Sequence, residues 1–228
     1  MSRSVAESVL VVGASRGIGL ELVRQYRAQG AAVVATARDD AGLARLQALG
    51  AKALRIDVTE LASVAGLAWQ IDGEAFDTVV INAGVYGPKA LSALQAPGRD
   101  DFDQVMRTNV LGPMQVVPQL VDALAPQARL GIITSRMGSI GARTNGQGWL
   151  YRASKAAANS VLRDLAFALD GRALCVALHP GWVRTDMGGE GADLSVEQSA
   201  TGLRAVLAEL TPADHGRFFD QDGQALPW

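Results

Sequence analysis

Three features that would narrow the function of this 228-residue chain are scarce or absent. Cys175 is the only cysteine, and there are only two histidines, so an internal disulfide is excluded and we expect no metal site. No run of eighteen apolar residues occurs, and the apolar run at 9–12 is too short for a signal sequence or a membrane span. We therefore expect a cytoplasmic protein with no membrane partner.

The chain also lacks an excess of charge of either sign. Its 21 Lys and Arg residues against 23 Asp and Glu residues give a net charge of −2, which provides no general attraction to nucleic acid. Any anionic ligand must therefore be held by a local cluster of donors. The hydrophobic fraction of 49% is ordinary for a globular protein, and the length predicts one α/β domain over residues 1–228.

Apolar strand segments alternate with helical segments along the whole chain. The pattern predicts strands at 8–13, 31–37, 53–56, 76–81, 130–134, 173–178 and 217–219. It predicts helices at 17–29, 39–49, 102–124, 150–169 and 196–210, and a further helix that Thr59 caps. This alternation indicates a doubly wound Rossmann-type domain, with a parallel sheet of about seven strands and helices on both faces. The long loops 83–100, 135–149 and 180–194 all follow strands, so they lie where such sheets bind ligands.

A glycine-rich turn joins the first strand to the first helix. Glycines at this point allow a tight turn and bring the backbone close to a pyrophosphate, which the helix N-terminus attracts. The spacing is GxxxGxG and differs from the general GxGxxG fingerprint. The turn predicts a dinucleotide-binding loop made of Gly13, Ser15, Arg16, Gly17, Ile18 and Gly19.

The same turn also reads as G-x-S-x-G, the nucleophile elbow of serine hydrolases. Ser15 would be the nucleophile, with His179 or His215 as the base. Two points count against this alternative. Such an elbow normally follows several strands, whereas Ser15 follows the first, and the hydrolase reading leaves the later motifs without a role. His179 on its own is more typical of a structural histidine than of a base or ligand.

The end of the second strand predicts which dinucleotide is bound. An NAD enzyme places an acid here to accept a hydrogen bond from the ribose 2′-hydroxyl, but the chain reads Thr36-Ala37-Arg38. Arg38, together with Arg16, can instead hold a 2′-phosphate. The sequence therefore predicts a preference for NADP(H), unless both arginines are simply solvated surface charges.

Tyr151 and Lys155 are four residues apart on a predicted helix and therefore share one face. A nearby ammonium favours the phenolate, so the pair predicts a tyrosine with a lowered pKa that is suited to general acid–base chemistry.

Taken together, the motifs of this chain resemble those of the short-chain dehydrogenase/reductase family almost from end to end. The segments 135–141, 151–155 and 179–189 are similar to the branch of C-factor-like and sniffer-like carbonyl reductases. The motifs that carry the resemblance are, in chain order, Gly13/Gly17/Gly19, Asp57-Val58, Asn82-Ala83-Gly84, Thr108-Asn109-Val110, Ser135, Tyr151/Lys155 and Pro180-Gly181-Trp182-Val183-Arg184-Thr185.

The resemblance implies roles for these residues. Tyr151 protonates the carbonyl oxygen, Lys155 lowers the pKa of Tyr151 and binds the nicotinamide ribose, and Ser135 stabilises the charge that develops on that oxygen. Asn109 supports a water that connects Lys155 to solvent. The implied cofactor contacts are Asp57 and Val58 beside the adenine, Asn82, Ala83 and Gly84 at the adenosine ribose, and Val183 and Thr185 at the carboxamide. Pro180 and Gly181, from the same segment as Val183 and Thr185, are also counted among the cofactor-binding residues.

The sequence thus predicts an NADPH-dependent oxidoreductase that reduces a small apolar carbonyl compound, or oxidises the corresponding alcohol. A dinucleotide-binding signalling protein of the C-factor type, in which catalysis is incidental, is an alternative. The helix at 150–169 is apolar on more than one face, with Val161, Leu165 and Phe167 among its residues. Such a helix needs additional cover, and the resemblance implies a homodimer or homotetramer.

Overall fold

Seven parallel strands form one sheet. In the computed structural model, which describes residues 6–88 and 92–228, they are β1 (Ser8–Val12), β2 (Ala32–Ala37), β3 (Lys52–Arg55), β4 (Phe76–Ile81), β5 (Leu124–Ile133), β6 (Ala173–His179) and β7 (Arg217–Asp220). Their order is β3-β2-β1-β4-β5-β6-β7, and every neighbouring pair is parallel. The order reverses between β1 and β4, which is the switch point where doubly wound sheets bind ligands. The predicted fold class is confirmed.

Helices cover both faces of this sheet. They are α1 (Gly17–Ala28), α2 (Asp40–Ala48), α3 (Leu61–Ala65), α4 (Leu67–Gln70), α5 (Arg99–Met106), α6 (Gly112–Val116), α7 (Trp149–Ala168) and α8 (Val196–Glu209). Val9 and Val11 of β1 pack in the cluster that contains α1, α2 and α8. Leu10 and Val12 pack in the opposite cluster, with side chains from α3, α4, α6 and α7. Alternate side chains of a buried strand thus fill two cores.

The helix predicted at 102–124 is not one continuous helix. After α5, a π-helical turn spans Arg107–Leu111, α6 follows, and a 3₁₀ segment occupies Val117–Ala123. Pro113 and Pro118 lack the backbone N–H that a regular helix needs, which explains why the hydrogen-bonding pattern changes along this segment.

Two further boundaries differ from the sequence prediction. β5 begins at Leu124, six residues before the predicted start, because Leu124 pairs with Phe76 and a register irregularity between Phe76 and Thr78 connects this pair to the rest of the strand. Thr59 does not cap α3. Its side chain donates to Asp57 Oδ1 at 2.7 Å, and Glu60 occupies the N-cap position without a side-chain hydrogen bond. Asp39 does cap α2, by accepting from Gly42 N at 2.7 Å.

Part of the predicted loop 83–100 lies outside the described residues, namely 89–91, and so do residues 1–5 of the polar N-terminal stretch. In the ranges 6–88 and 92–228, no helix is both long enough and apolar enough to cross a bilayer.

Candidate active site

The glycine turn between β1 and α1 has the close backbone packing that the sequence predicts. Gly13 has a φ of +83°, and a Cβ atom there would lie 2.7 Å from the backbone of Ala83, so only glycine fits without a shift. Gly13 N donates to Thr36 Oγ1 at 2.9 Å, and Asn82 Nδ2 donates to Gly13 O at 2.6 Å. Side chains at the ends of β2 and β4 therefore hold the turn in place.

A groove of about 370 Å³ runs along the carboxyl ends of the strands, beside this turn. It continues from the end of β2 to the side chains of Tyr151 and Lys155 on α7. Thr36, Ile56, Thr59, Val85 and Thr108 also line it, although the sequence did not single them out for this role. The predicted cofactor residues that line the groove are Gly13, Ser15, Arg16, Gly17, Ile18, Arg38, Val58, Asn82, Ala83, Gly84, Tyr151, Lys155, Pro180 and Thr185.

Four predicted cofactor residues do not line the groove. Gly19 lies beneath the turn, where a Cβ atom would come within 2.5 Å of Gly13 O, so its role is packing. The Asp57 carboxylate accepts hydrogen bonds from Thr59 N at 2.9 Å and from the Thr59 hydroxyl, so it is directed toward the backbone of its own loop. Gly181 and Val183 line the neighbouring cavity instead.

The two arginines predicted to hold a 2′-phosphate have different surroundings. Arg38 is exposed at the groove, and its carbonyl oxygen accepts from Arg55 Nη1 at 2.9 Å. Arg16 also lines the groove, but its guanidinium forms an ion pair with Asp186, from the segment after β6. A phosphate that binds Arg16 must therefore displace or share this carboxylate.

The structure gives no support to Ser15 as a hydrolytic nucleophile. Both histidines lie in the described part of the chain, and neither is hydrogen-bonded to Ser15. His215 uses both ring nitrogens, at Cys175 N (3.1 Å) and Ala166 O (2.8 Å). His179 lines a cavity on the other side of Tyr151. The elbow therefore has no base.

That second cavity has a volume of about 750 Å³ and lies on the other side of Tyr151, with Ile18 of the glycine turn also on its wall. Most of its walls come from the loops that follow β4, β5 and β6, and from the start of α7. Ser135 lies on it, and Tyr151 lines both this cavity and the groove. Its other side chains mix apolar and charged groups, with Tyr86, Met137, Trp182, Met187 and Leu194 beside Arg136, Arg152, His179 and Asp193.

Burial controls the ionisation of Tyr151 and Lys155. Desolvation raises the pKa of Tyr151 above its ordinary value, and the side chain of Ser135 partly offsets this effect. Desolvation also lowers the pKa of Lys155 to about 8. Lys155 Nζ donates to Ile133 O at 3.0 Å and lies 5.7 Å from the centre of the Tyr151 ring. The pKa of Tyr151 is therefore raised where the sequence predicted a lowering by Lys155, because desolvation is the largest effect on it.

Asn109 lies behind Tyr151 and Lys155, in the π-helical turn. Its Oδ1 accepts from Val85 N, and its Nδ2 donates to Val85 O, both at 2.8 Å. Nδ2 also reaches Ser154 Oγ at 2.9 Å. A Cβ atom on Gly84 would lie 3.3 Å from both Asn109 Oδ1 and Lys155 Nζ, so these two groups face the same glycine. Asn109 thus connects the loop after β4 to α7.

Tyr86 is a site residue that the sequence analysis missed. Its ring stacks on that of Tyr151, with ring centres 4.5 Å apart and planes inclined by 25°. Its position two residues after Asn82-Ala83-Gly84 was the available signal, because that motif places the following residues at the same edge of the sheet. Arg152 was also missed as a cavity residue, although it lies inside the Tyr151/Lys155 motif.

Comparison with known proteins agrees with this geometry. The C-signal of Myxococcus xanthus is 40% identical over 158 residues, covering 67% of this chain and 92% of that protein. The 1-hydroxy-2-glutathionyl-2-methyl-3-butene dehydrogenase of Rhodococcus sp. (strain AD45) is 38% identical over 232 residues, covering 97% and 99% of the two chains. The solved structure of a carbonyl reductase from Pseudomonas aeruginosa PAO1 in complex with NADP superposes with a TM-score of 0.87 at 34% identity, covering 98% of this chain and all of that one.

The family model of the short chain dehydrogenases matches residues 7–193. That range holds the glycine turn, Ser135, Tyr151 and Lys155. The chain therefore belongs to the short-chain dehydrogenase/reductase family of oxidoreductases.

Proposed function

We propose that this chain is an NADPH-dependent oxidoreductase that reduces a carbonyl compound, with Tyr151 as the proton donor. One observation carries the proposal: Tyr151 lines both the groove beside the glycine turn and the cavity beyond it. A dinucleotide in the groove and a carbonyl compound in the cavity would meet at this phenol. The NADP in the complex of the Pseudomonas aeruginosa carbonyl reductase supports the same assignment.

The residues present fit a phosphorylated dinucleotide. Close packing at Gly13 lets a pyrophosphate approach the backbone, and α1 directs its N-terminus at the same place. Exposed Arg38 and Arg16 supply guanidinium groups for a 2′-phosphate, and no acid stands at the end of β2 to select NADH. NADPH, when bound, supplies the hydride for the carbonyl carbon.

The side chains around Tyr151 then control the proton and the developing charge. The raised pKa keeps the phenol protonated at neutral pH, which is the state that a proton donor needs. The Ser135 hydroxyl lies on the same cavity and can donate to the carbonyl oxygen as negative charge develops. Lys155 is fixed by its bond to Ile133 O, on the groove side of the phenol.

The test is turnover by the purified chain. A panel of aldehydes, ketones and quinones is added with NADPH, and the absorbance of the reduced cofactor is followed. We expect consumption with at least one carbonyl class, and Ser135→Ala should lower kcat by about 10²-fold without changing the Kd for NADPH. Failure of all three classes, together with no calorimetric binding of NADPH, would contradict the proposal.

A signalling role is the second candidate, and the 40% identity to the C-signal of Myxococcus xanthus favours it. In that case the dinucleotide would be bound, and turnover would be incidental. Tyr151→Phe separates the two functions, because it removes the proton donor and leaves the fold and the groove intact. A cellular phenotype of a deletion strain that the Phe variant restores in full would favour the signalling role.

We also propose that the chain forms a homodimer or homotetramer through the face made by α5, α6 and α7. Large apolar side chains are exposed on these helices, namely Phe102, Met114 and Phe167, the last of which is 73% exposed. Light scattering that gives the 23.9 kDa mass of one chain would contradict this.

A further inference from the structure

Arg152 carries a buried positive charge on the wall of the larger cavity. It lies one residue after Tyr151, in the first turn of α7, and only 7% of it is exposed. Its Nε donates to Gln147 O at 2.8 Å, its Nη2 donates to Asn145 Oδ1 at 2.9 Å, and its Nη1 donates to Met137 O at 3.5 Å. All three acceptors are neutral, and no carboxylate of the described chain forms an ion pair with Arg152. A buried charge without a counter-charge is unfavourable, so this guanidinium has unused affinity for an anion.

The start of α7 adds to this positive charge. The helix is 20 residues long, its N-cap is Gly148, which offers no side chain, and its first turn holds no acidic residue. The N-terminal end of a helix carries partial positive charge, and an acid is normally preferred there. Instead the turn holds Arg152, and Arg143 lies in the loop just before it. Desolvation and, after it, the charge of Arg143 lower the pKa of Arg152.

The acidic residues near the cavity do not neutralise the positive charge of Arg152. The buried Asp220 accepts from the backbone N–H groups of Asp222 and Gln224, both at 3.0 Å, and lies 3.4 Å from the guanidinium of Arg136. It is therefore already engaged. Asp193 is exposed on the segment after β6, which forms a different wall from the start of α7.

We propose that the carbonyl substrate carries a carboxylate, which binds at the part of the cavity wall formed by Arg152, with the charge of Arg143 nearby in the preceding loop. This inference rests on the proposed reductase function and names its substrate class. The carbonyl lies at Tyr151, and an apolar body packs against side chains such as Tyr86 and Met137. A volume of about 750 Å³ accommodates a substrate with all three parts. On this proposal the substrate is amphiphilic, whereas the sequence predicts a small apolar carbonyl compound.

The test compares two substrates that differ only in charge, 4-carboxybenzaldehyde and methyl 4-formylbenzoate, each reduced with NADPH. We expect a kcat/KM that is about tenfold higher for the carboxylate than for the ester. The difference should lie in KM, and added KCl should reduce it. Arg152→Gln should bring the ratio of the two substrates close to one. Arg172→Gln is the matched control, because Arg172 stands before the amino end of β6, at the opposite edge of the sheet, and should keep the tenfold ratio.

Two results would overturn the proposal. One is equal kcat/KM for the two aldehydes in the unmodified protein. The other is an equal loss for both aldehydes in Arg152→Gln, which would make Arg152 a purely structural support for the loop at 145–147. If Arg152→Gln does not fold, Arg143→Gln replaces it, since Arg143 is exposed, and should lower the ratio about threefold.

Binding separates this inference from the proposed function. Benzoate and benzamide are titrated into the protein in the presence of NADP⁺, with calorimetric detection. Tighter binding of benzoate, lost in Arg152→Gln, supports the anion site even if neither aldehyde is reduced. Equal binding of the two probes, or no binding of benzoate, contradicts the anion site, whereas reduction of the methyl ester alone would leave the reductase function intact.

Discussion

The ring of Tyr86 stacks on the ring of Tyr151, with 4.5 Å between the ring centres. The two residues come from different elements, the loop after β4 and the first turn of α7. The same loop holds Gly84, which faces Lys155 Nζ, and Val85, which Asn109 holds at both its N–H and its C=O. Tyr86 therefore links the loop that lines the groove to Tyr151, and it restricts the directions that the phenol can take.

Removing the Tyr86 ring should lower catalysis more than it lowers binding. We expect Tyr86→Ala to reduce kcat by about tenfold, because the phenol of Tyr151 loses the ring that orients it. Tyr86→Phe keeps the ring and should retain most of the activity. The measurement is kcat and the Kd for NADPH in both variants. A Phe variant as impaired as the Ala variant would show that the Tyr86 hydroxyl, and not the stacked ring, is what matters.

Cofactor choice should depend on Arg38. Arg38→Gln removes a charged donor for the 2′-phosphate, so the KM for NADPH should rise about tenfold while the KM for NADH stays constant. Asp186→Asn should act in the opposite direction and lower the KM for NADPH, because it frees Arg16 from its ion pair. Steady-state kinetics with both cofactors check this, and equal kcat/KM for NADH and NADPH in the unmodified protein would show that neither arginine selects.

His179 should make the fold sensitive to acid. Burial, and to a smaller extent the charge of Arg136, lower its pKa to about 4 from 6.5, while Asp220 acts weakly in the other direction. The unfolded state therefore binds more protons than the folded state between these pH values, so stability is lost as the pH falls from about 6.5 to about 4. The loss amounts to about 3 kcal/mol at most.

Urea denaturation across this pH range measures the effect. His179→Gln lacks the titrating ring, so its free energy of unfolding should change less between pH 6.5 and 4 than that of the unmodified protein. Glu21 and Asp214, whose carboxyl pKa values are lowered by hydrogen bonds, contribute equally to both proteins and cancel in the comparison. Parallel pH dependences in the two proteins would show that His179 is solvated in the folded state.

The sequence predicted the parallel sheet, its doubly wound arrangement and most of the residues that line the groove, because these follow from local patterns. Continuous apolar runs marked the strands, and the motif at 82–84 marked a strand end that faces the glycine turn. The break in the helix predicted at 102–124 was harder to foresee, since its apolar periodicity continues through Pro113 and Pro118. The effect of those prolines on the hydrogen bonds emerged only in three dimensions.

The ionisation of the site could not be predicted from spacing alone. Lys155 and Tyr151 share a helix face, as the sequence indicated, but the direction in which each pKa shifts depends on how deeply each side chain is buried. The pairing of Tyr86 with Tyr151 joins residues 65 positions apart in sequence, and no local pattern encodes it. The same holds for Arg16 and Asp186, which form an ion pair at the groove although they are 170 positions apart in sequence.

The Tyr151→Phe variant, assayed in parallel for NADPH binding and for carbonyl reduction, tests most directly whether Tyr151 is the proton donor. The phenol lies between the groove and the cavity, and the change removes only its hydroxyl. We expect a Kd for NADPH within about twofold of the unmodified value and a loss of kcat of at least about 10³-fold. Undiminished turnover in this variant would contradict the account.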